Sequence, residues 1–516
     1  MAPLLTRRDV LLGGAATAGI VLLPRPLFAE TARTNGTMLG PSYGLFSVEM
    51  ESSSQRCIKL ESPGNFVELT VQVPANALVI RYSLPDSPQG DGIDAGLDLY
   101  RNGKLLRTIP ITSRYSWLYG AYPFSNDPAA GKPRNFYDEC RVKDLDFAEG
   151  DVIRLQKRDD AAGYCIIDLV DFETAAPPLP QPANSLAFSD FGADTEALRA
   201  CIAEAARQGK SVWVPPGDYK LTGEIVLPPD MTLQGAGMWH TNFVGDADLY
   251  NQPDRRVKFV LKGGNNHLSD FAIIGKLTYR NDQEANDGIV GEQAENFTIA
   301  RLWVEHTKSG MWFYGCANGV IEDCRLRNTR ADGINICTHS HHLLVSNCTA
   351  RNTGDDCFAI WPAAFDHAHG KHTAPGANII RNCTGELPYL ANGGAIYGGA
   401  DNRIETCRFT DIAAGCGILI STTFPTADPA YGIDYNFSGT TVIQDCELLR
   451  CGGYDHEWAW RAALQICLDH RDISGLHIGG VTIRDSLSDG FGIVGHHKLI
   501  DAHLDIAIDQ EQKISR

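Results

Sequence analysis

Short segments in which apolar and polar residues alternate run through most of the chain, and their spacing divides it into two regions. In residues 35–174 the segments are separated by Gly, Pro, Asn and Asp, as in NFVELTVQVP and NALVIRYSLP. In GLDLYRNGKLLRTIPI, RNGK separates two further segments. Alternation with a period of two residues predicts strands that bury one face, and an Asn-Gly pair between such strands is typical of a hairpin turn. We therefore predict an antiparallel β-sandwich for residues 35–174.

A proline-rich stretch, TAAPPLPQPANS, ends the first region and predicts a linker over residues 175–185. Beyond it, the pattern predicts one amphipathic helix from Thr195 to Gln208, with Asp194 as its N-cap. We expect this helix to cover the open end of the structure that follows it.

The second region, residues 186–516, repeats a short β-rich segment, as in GVIEDCRLRNT, LLVSNCTARNT and NRIETCRFTD. Thr307, Thr329 and Thr353 occupy matched positions in this repeat and lie 22 and 24 residues apart. Strands this short, repeated at such a period, predict a solenoid of stacked β coils. The expected fold class is all-β, a right-handed parallel β-helix preceded by the antiparallel sandwich. Helical repeats are the alternative, but the segments are rich in β-branched residues and show no 3.6-residue period.

The amino terminus carries an apolar run behind an arginine pair. Arg7 and Arg8 precede an apolar stretch that contains Gly and Ala, and Ala29 offers a small residue for cleavage. This arrangement predicts a twin-arginine export signal over residues 1–29 and a location in the periplasm or outside the cell. Because the run is too short to span a bilayer, we expect no membrane association after the signal is removed. We expect the mature protein to be a monomer.

Composition narrows the classes of partner. The chain carries a formal net charge of −18, with 43% hydrophobic and 21% charged residues, which is typical of a globular protein. We expect no nucleic-acid partner, because binding to phosphates needs clusters of Lys and Arg that this sequence lacks. An acidic surface suits a neutral polymer better than an acidic one such as pectin, although a local basic cleft would still permit the latter.

Fifteen cysteines favour disulfides in an exported protein. Five of them, however, occupy matched positions in the repeat, in EDC, SNC, RNC, ETC and QDC: Cys324, Cys348, Cys383, Cys407 and Cys446. Matched positions predict a buried stack of small apolar side chains rather than disulfide pairs. The sequence leaves the pairing of the other ten open.

Aspartates recur in step with the repeat. Aligning the two Asn-Thr pairs of NTRADGINI and NTGDDCFAI puts Asp332 opposite Asp356, and Asp355 adds a third carboxylate at the same corner. Neighbouring coils pair like strands about 4.8 Å apart, so these carboxylates repel one another and at least one pKa rises. Because an apolar interior cannot hold them, we expect the chain to bend near Asp332 and Gly333 and turn them outward.

Such a cluster has three interpretations. In the first two, the aspartates bind calcium or are solvated residues of a turn, and neither gives them a catalytic role. Glycoside hydrolysis requires this combination of groups, because one protonated carboxyl donates to the leaving oxygen while another activates water.

The segments around the aspartates resemble glycoside hydrolase family 87, the α-1,3-glucanases and mycodextranases. The resemblance rests on ADGINI and NTGDDCFAIW, on GCGILISTTFP and LLRCGGYDHEWAWRAALQI further on, and on YSWLYGAYPF and PRNFYDEC in the first region. It implies an inverting endo-hydrolase that uses three aspartates, with Asp355 as the general acid and with Asp332 and Asp356 holding and activating the water. The implied substrate is a neutral α-glucan, either α-1,3-glucan or nigeran, and no cofactor is implied.

Other residues are candidates for sugar binding. Asn335 and Trp361 fall on the outward side of the aspartate strands and Tyr397 lies in the next coil, so we predict that all three contact substrate. Aromatic residues within 115–124 are further candidates, which would make the sandwich a carbohydrate-binding module. Histidines near the aspartates match no zinc-ligand spacing, and we expect no metal: His339, His341, His342, His367, His369 and His372.

Two alternative functions stay open. A galacturonan hydrolase of glycoside hydrolase family 28 would share the β-helix and a similar aspartate arrangement, but its Gly-His-Gly and Arg-x-Lys motifs are not evident. A β-helix that binds polysaccharide without cleaving it is the other alternative. Replacing Asp355 separates the classes, since a binding protein would keep its affinity and never release sugar.

Overall fold

The computed structural model describes residues 27–28, 31–364, 375–455 and 459–511. The predicted export signal falls outside these ranges except for Leu27–Phe28, a short strand beside Leu169 and Val170. Within the described ranges, no helix is long and apolar enough to cross a membrane. Short 3₁₀ turns occur at Ser53–Gln55, Pro128–Ala130, Phe188–Asp190, Pro253–Arg255 and Pro429–Tyr431.

Two antiparallel sheets form the first region, as the alternating pattern predicts, and their inner faces enclose an apolar core. The predicted hairpin is present: Asn102 and Gly103 have φ of 49° and 79°, the positive values that a type I′ turn requires. One sheet contains Leu27–Phe28, Thr37–Leu39, Cys57–Leu60, Ala77–Ser83, Asp138–Val142 and Cys165–Glu173. The other contains Arg33–Thr34, Phe66–Thr70, Asp94–Arg101, Lys104–Thr112 and Val152–Lys157. A separate strand pair is formed by Leu118–Tyr119 and Pro133–Arg134.

The second region winds into a parallel β-helix, as predicted, whose coils build one sheet of 21 strands and one of 10 within the described residues. The larger sheet contains Ser185–Ala187, Ser211–Val214, Gly217–Leu221, Thr232–Gly235, Thr241–Gly245, His267–Ser269, Ala272–Ile274, Thr298–Ala300, Trp303–Glu305, Val320–Glu322, Arg325–Arg327, Leu344–Ser346, Thr349–Arg351, Ile379–Arg381, Thr384–Glu386, Arg403–Glu405, Arg408–Ile412, Thr441–Gln444, Glu447–Cys451, Leu476–Ser486 and His503–Glu511.

The ten-stranded sheet carries the aspartate strands. It contains Glu224–Leu227, Lys258–Gly264, Gly288–Glu295, Met311–Tyr314, Ile334–Cys337, Phe358–Trp361, Gly394–Ile396, Ile418–Ser421, Leu464–Leu468 and Phe491–Gly495. Among the described residues, two short antiparallel pairs are Ala427–Asp428 with Ile433–Asp434 and Gly453–Asp455 with Ala459–Arg461. Ile473–Ser474 pairs in parallel with Leu499–Ile500.

One α-helix covers the first coils, and it has the predicted bounds, Thr195–Gln208. The carboxylate of Asp194 accepts a hydrogen bond from the backbone N–H of Ala197 at 2.9 Å, which is the predicted N-cap. The buried face of the helix, including Leu198 and Ile202, joins the apolar core of the solenoid. The helix therefore shields the end of that core from water, as expected.

The repeat cysteines form the predicted buried column. Each thiol donates to a carbonyl of the preceding coil, as Cys348 does to Ile321 and Cys383 to Val345, both at 3.7 Å. All fifteen cysteines lie within the described residues, and all are free thiols. The ten whose pairing the sequence left open are therefore unpaired as well.

Buried ion pairs fasten the sandwich to the β-helix. Arg325 Nη1 donates to both carboxylate oxygens of Glu173 at 2.7 Å, and Arg351 Nη2 donates to Asp171 Oδ2 at 2.6 Å. Because these charges are removed from water, losing one partner would leave the other uncompensated. The sandwich is thus held rigidly against the coils that carry the aspartates.

Candidate active site

The outward face of the ten-stranded sheet forms the floor of a cleft. The register pairs Ile334 with Phe358 and Ile336 with Ile360, as the sequence alignment of the two coils predicts. These side chains point into the core, so the residues between them point out, into a cleft of about 480 Å³. Asp332, Asp355, Asp356, Asn335, Trp361 and Tyr397 all line this cleft. The structure thus brings all six predicted site residues together.

The aspartates stand where each coil turns before its outward-facing strand. The backbone N–H of Gly333 donates to the carbonyl of Asp356 at 2.9 Å, which stacks Asp332 over Asp356. A Cβ at position 333 would lie 2.5 Å from the carbonyl oxygen of Cys357, so this close approach of two coils requires glycine. Oxygens of the three carboxylates lie within 4.8 Å of one another.

Burial and mutual repulsion leave two of these carboxyls hard to ionise. Burial, followed by the charges of Asp355 and Asp356, holds the pKa of Asp332 well above its ordinary value. Burial, followed by the charge of Asp355, raises the pKa of Asp356 to about 7. Hydrogen bonds from Tyr397 and Asn392 act against this rise. Near neutral pH the buried pair can therefore hold a proton.

Asp355 has different surroundings. Its carboxyl is more exposed than the other two, and its Oδ2 accepts a hydrogen bond from Arg280 Nη2 at 2.6 Å. The preceding residue is Gly354, where a Cβ would lie 2.1 Å from the hydroxyl oxygen of Tyr389. The backbone at Gly354 thus packs closely against the Tyr389 side chain, which positions the backbone of Asp355. The site therefore combines one ion-paired carboxylate with two buried carboxyls.

Aromatic rings line the cleft beside the carboxyls. The ring of Trp361 lies 6.0 Å from that of Trp312 and 5.5 Å from that of Phe424, centroid to centroid. Asn335 Oδ1 and Trp312 Nε1 are buried and make no hydrogen bond within the described part of the chain. An acceptor and a donor left in an aromatic-lined cleft are suited to sugar hydroxyls, since aromatic faces stack on the apolar faces of sugars.

The cationic side chains that line the described part of the cleft are bound to groups of the protein itself. Arg461 Nε pairs with Asp455 Oδ2 at 3.1 Å, and the ammonium of Lys308 donates to the carbonyls of Asp282 and Glu284. With Arg280 bound to Asp355, each of the three cations lining the described part of the cleft has an acidic or carbonyl partner. This arrangement offers little to a substrate carboxylate.

Sequence reasoning missed several cleft residues, namely Arg280, Asn392, Trp312, Tyr314 and Phe424. Trp312 pairs in register with Asn335, so carrying the alternation back by one coil would have found it. Tyr314 lies in the same strand and pairs with Cys337, so the same step would have found it, whereas Arg280, Asn392 and Phe424 lie in loops.

Among the candidate zinc ligands, the Nδ1 atoms of His341 and His342 lie 2.9 Å apart. Neither residue lines the cleft. His367, His369 and His372 lie outside the described residues.

A parallel β-helix whose outer face carries three clustered carboxyls beneath an aromatic-lined cleft is the architecture of an enzyme that acts on polysaccharide chains. Two family models match the chain: α-1,3-glucanase catalytic domain D1 over residues 27–175 and α-1,3-glucanase catalytic domain D2 over residues 193–478. The chain belongs to this family of α-1,3-glucanase catalytic domains, and it is a glycoside hydrolase.

Solved structures of the family are similar over nearly the whole chain. The catalytic domain of Agl-KA is 26% identical and has a TM-score of 0.85, covering 93% of this chain and 87% of its own. The catalytic unit of the thermostable α-1,3-glucanase from Streptomyces thermodiastaticus strain HF3-3 is 28% identical with a TM-score of 0.76, covering 96% and 98%. A family 87 α-1,3-glucanase catalytic domain in complex with nigerose is 25% identical with a TM-score of 0.81, covering 93% and 88%.

A curated relative matches over a shorter stretch. The uncharacterized protein YclG of Bacillus subtilis (strain 168) is 23% identical over 233 residues, which is 39% of this chain. The chain spans 38% of the length of that relative.

Proposed function

We propose that this protein hydrolyses α-1,3-glucosidic bonds within α-glucan chains and that Asp332, Asp355 and Asp356 carry out the reaction. The observation that supports this most directly is the contrast among the three clustered carboxyls: Asp332 and Asp356 are buried and have raised pKa values, whereas Asp355 is more exposed and is bound by Arg280. Glycoside hydrolysis needs a proton on one carboxyl and a neighbouring carboxyl that can take one from water, and buried carboxyls with raised pKa values can hold such a proton near neutral pH.

The spacing of the aspartates also supports the proposal. Two family 87 α-1,3-glucanase structures in complex with nigerose, each 25% identical to this chain, carry Asp-to-Ala substitutions at positions 24 residues apart in their own sequences. Asp332 and Asp356 are 24 residues apart as well.

A proton can circulate within the cluster during the reaction. Before substrate binds, the buried pair, Asp332 and Asp356, holds it. The proton passes to Asp355, which donates it to the glycosidic oxygen as the bond to the anomeric carbon breaks. The buried pair, now ionised, takes a proton from the water that attacks that carbon. One water is consumed, two sugar ends are formed, and the resting state returns.

The cleft favours a neutral substrate over a uronate. A galacturonan hydrolase needs a cation for each substrate carboxylate at the bond it cuts, whereas the described cations of this cleft are paired. We therefore propose α-1,3-glucan as the substrate, with nigeran as the other glucan to test.

Inversion of configuration is part of the proposal, with retention as the second candidate. Inverting hydrolases hold their carboxyl groups about 6.5–9.5 Å apart and retaining ones about 5–5.5 Å apart. Here the nearest carboxylate oxygens lie within 4.8 Å, which is the observation that favours retention. Proton NMR of the first product decides: inversion of an α bond gives the β-anomer, and retention gives the α-anomer.

The test of the function is release of reducing ends from insoluble α-1,3-glucan, nigeran and polygalacturonate by the full chain. We expect activity on a glucan and a loss of about 10³-fold or more in Asp355→Asn. Cleavage of polygalacturonate alone would move the protein to the pectinase class. Binding to glucan without cleavage would leave it as a polysaccharide-binding β-helix.

Activated substrates separate the roles of the aspartates. Fluoride leaves with little help from an acid, so α-nigerosyl fluoride should restore much of the activity of Asp355→Asn but not that of Asp332→Asn or Asp356→Asn. Equal losses on the fluoride and on the glucan in Asp355→Asn would contradict its role as the acid. Unchanged activity in the presence of EDTA would argue against a calcium site at the same carboxylates.

We also propose that the protein is exported by the twin-arginine route. Free thiols at all fifteen cysteines suit a chain that folds in a reducing cytoplasm before export. Replacing Arg7 and Arg8 together by lysine should keep the protein in the cytoplasm, and export of that variant would contradict the proposal.

A further inference from the structure

A loop of the sandwich reaches into the cleft and holds a loop of the β-helix. The hydroxyl of Tyr122 accepts a hydrogen bond from Arg280 Nη2 at 2.9 Å and donates to Asp282 Oδ2. In the same sandwich loop, Asn126 Nδ2 donates to the carbonyl of Thr278 at 2.8 Å. The sandwich therefore fixes residues 278–282 at two points, although those residues belong to the β-helix.

Arg280 is buried, and all of its donors are used. Its side chain is 3% exposed. Its five N–H groups donate to five acceptors: Asp282 Oδ1 at 2.8 Å, the carbonyls of Arg330 and Gly354, Tyr122 Oη at 2.9 Å, and Asp355 Oδ2 at 2.6 Å. Because a planar guanidinium with every N–H engaged cannot turn without breaking several bonds, its position is fixed. The Asp355 oxygen that it binds is therefore fixed as well.

The contact matters most when Asp355 loses its proton. Asp355 is neutral as it approaches the glycosidic oxygen and negatively charged when the proton has gone. A buried guanidinium at 2.6 Å stabilises that developing charge. Relative to the substrate complex in which Asp355 carries the proton, this interaction strengthens as the bond breaks, so it accelerates bond breaking rather than binding.

We propose that Arg280, anchored by Tyr122 of the sandwich, is a positioning residue for the general acid Asp355. It holds the carboxyl in place and stabilises the charge that the carboxyl acquires. The proposal rests on the proposed function, and it makes the sandwich a part of the active site.

Charged and titratable groups face Asp355 from every side. Asp332 and Asp356 come from the stacked coils, Asp282 from the loop of Arg280, Tyr122 from the sandwich, and Tyr389 and Tyr397 from the following coil. Within the described residues, Arg280 is the cation that forms an ion pair with Asp355. Arg280 also lowers the pKa of Asp332, against burial and the neighbouring carboxylates. Removing it should therefore shift the titration of the cluster to higher pH.

The experiment compares Arg280→Gln and Tyr122→Phe with the wild type on nigero-oligosaccharides and on α-nigerosyl fluoride. For Arg280→Gln we expect kcat on the oligosaccharide to fall about 100-fold with KM within about two-fold, and a much smaller fall on the fluoride. The pH profile of kcat/KM should move up by roughly one unit. Tyr122→Phe, which keeps the ring and removes one anchor, should show about a ten-fold loss with the same preference for the fluoride.

Arg325→Gln is the matched control. Arg325 is also a buried arginine with a carboxylate partner, Glu173, at the same interface, but it lies outside the cleft. This variant should lower Tm and leave both the pH profile and the ratio of rates on the two substrates unchanged. Equal losses on both substrates in Arg280→Gln would reduce Arg280 to a structural role and overturn the proposal.

A second measurement does not depend on activity. A plot of Tm against pH reports the titration of the buried carboxyls, because Tm falls around neutral pH as they ionise. In Arg280→Gln this neutral limb of the plot should move to higher pH. An unmoved limb would overturn the positioning role even in an inactive preparation. If the wild type cleaves no glucan while the limb moves, the proposed function fails and the electrostatic part of this inference stands.

Discussion

The hydroxyl of Tyr397 donates to Asp356 Oδ2 over 2.7 Å, from the neighbouring coil of the ten-stranded sheet. The other oxygen of Asp356 accepts from the backbone and side-chain nitrogens of Asn392, at 3.0 and 2.7 Å. These donors stabilise the charged form of Asp356 and resist the rise in pKa that burial produces. Burial and the neighbouring carboxylates raise the pKa of both carboxyls, and these donors make Asp356 the member of the pair whose charged form is held by hydrogen bonds.

Removing the Tyr397 hydroxyl should make Asp356 harder to ionise. In Tyr397→Phe we expect kcat to fall about ten-fold and the pH profile to move to higher pH, because one hydrogen bond to the carboxylate is lost. Tyr435→Phe is the control, since the Tyr435 hydroxyl is buried without a hydrogen-bond partner in the described residues and lies outside the cleft lining. A profile that does not move in Tyr397→Phe would show that the hydrogen bond does not tune Asp356.

The buried carboxyls should cost stability near neutral pH. A carboxyl whose folded-state pKa is raised stabilises the fold below its unfolded value, near 4, and loses that contribution as pH rises through the folded value. For Asp356 the window runs from about 4 to about 7. Asp332→Asn and Asp356→Asn should therefore raise Tm by roughly 2–4 °C at pH 8 and change it little at pH 4. Scanning calorimetry at both pH values provides the test, and a lower Tm at pH 8 would contradict it.

Trp361 and Asn335 should act through binding. Replacing Trp361 by Ala removes a stacking surface, and Asn335→Ala removes a buried acceptor that has no partner in the described residues. We expect each change to raise KM for nigero-oligosaccharides by about five- to thirty-fold, equivalent to about 1–2 kcal/mol. Trp361→Phe should lose less. A fall in kcat at constant KM would instead place these side chains in the chemical step.

Arg351 should be a determinant of stability rather than of catalysis. It contacts Glu139 and Asp171 in the sandwich and Glu386 in the next coil, and its side chain is 3% exposed. Arg351→Met leaves Asp171 and Glu386 without their ion-pair partner and Glu139 with Arg327, so we expect unfolding in urea to show a loss of about 3–5 kcal/mol. Residual activity at low temperature should show the wild-type pH profile. A stability loss below about 1 kcal/mol would mean that the carboxylates find other partners.

Features that repeat along the chain could be predicted from the sequence. The 22- and 24-residue steps, the thiol column and the alternation that turns Asn335 and Trp361 outward follow from one coil resembling the next. The amphipathic pattern and the N-cap Asp194 predict the helix with its observed bounds, and in the structure Gly209 ends it in the left-handed conformation.

The ion pair beneath the acid could not be predicted in this way. Tyr122, Arg280 and Asp355 come from a sandwich loop, a loop between coils and a coil corner, and no period relates their positions. Tyr397 shows a second limit. Its place in the cleft followed from the coil in which it lies, but the engagement of its hydroxyl by Asp356 depends on side-chain geometry that no pattern reveals.

The alternation along the ten-stranded sheet separates two kinds of information. Inward residues such as Ile334 and Ile336 pack in the core and determine how the coils stack. Outward residues such as Asn335 line the cleft and determine which substrate groups it contacts. Because each coil repeats this division, an outward position can mutate without disturbing the core beneath it. Such a scaffold can acquire a new glycan specificity in single evolutionary steps, one coil at a time, while its folding instructions are inherited unchanged.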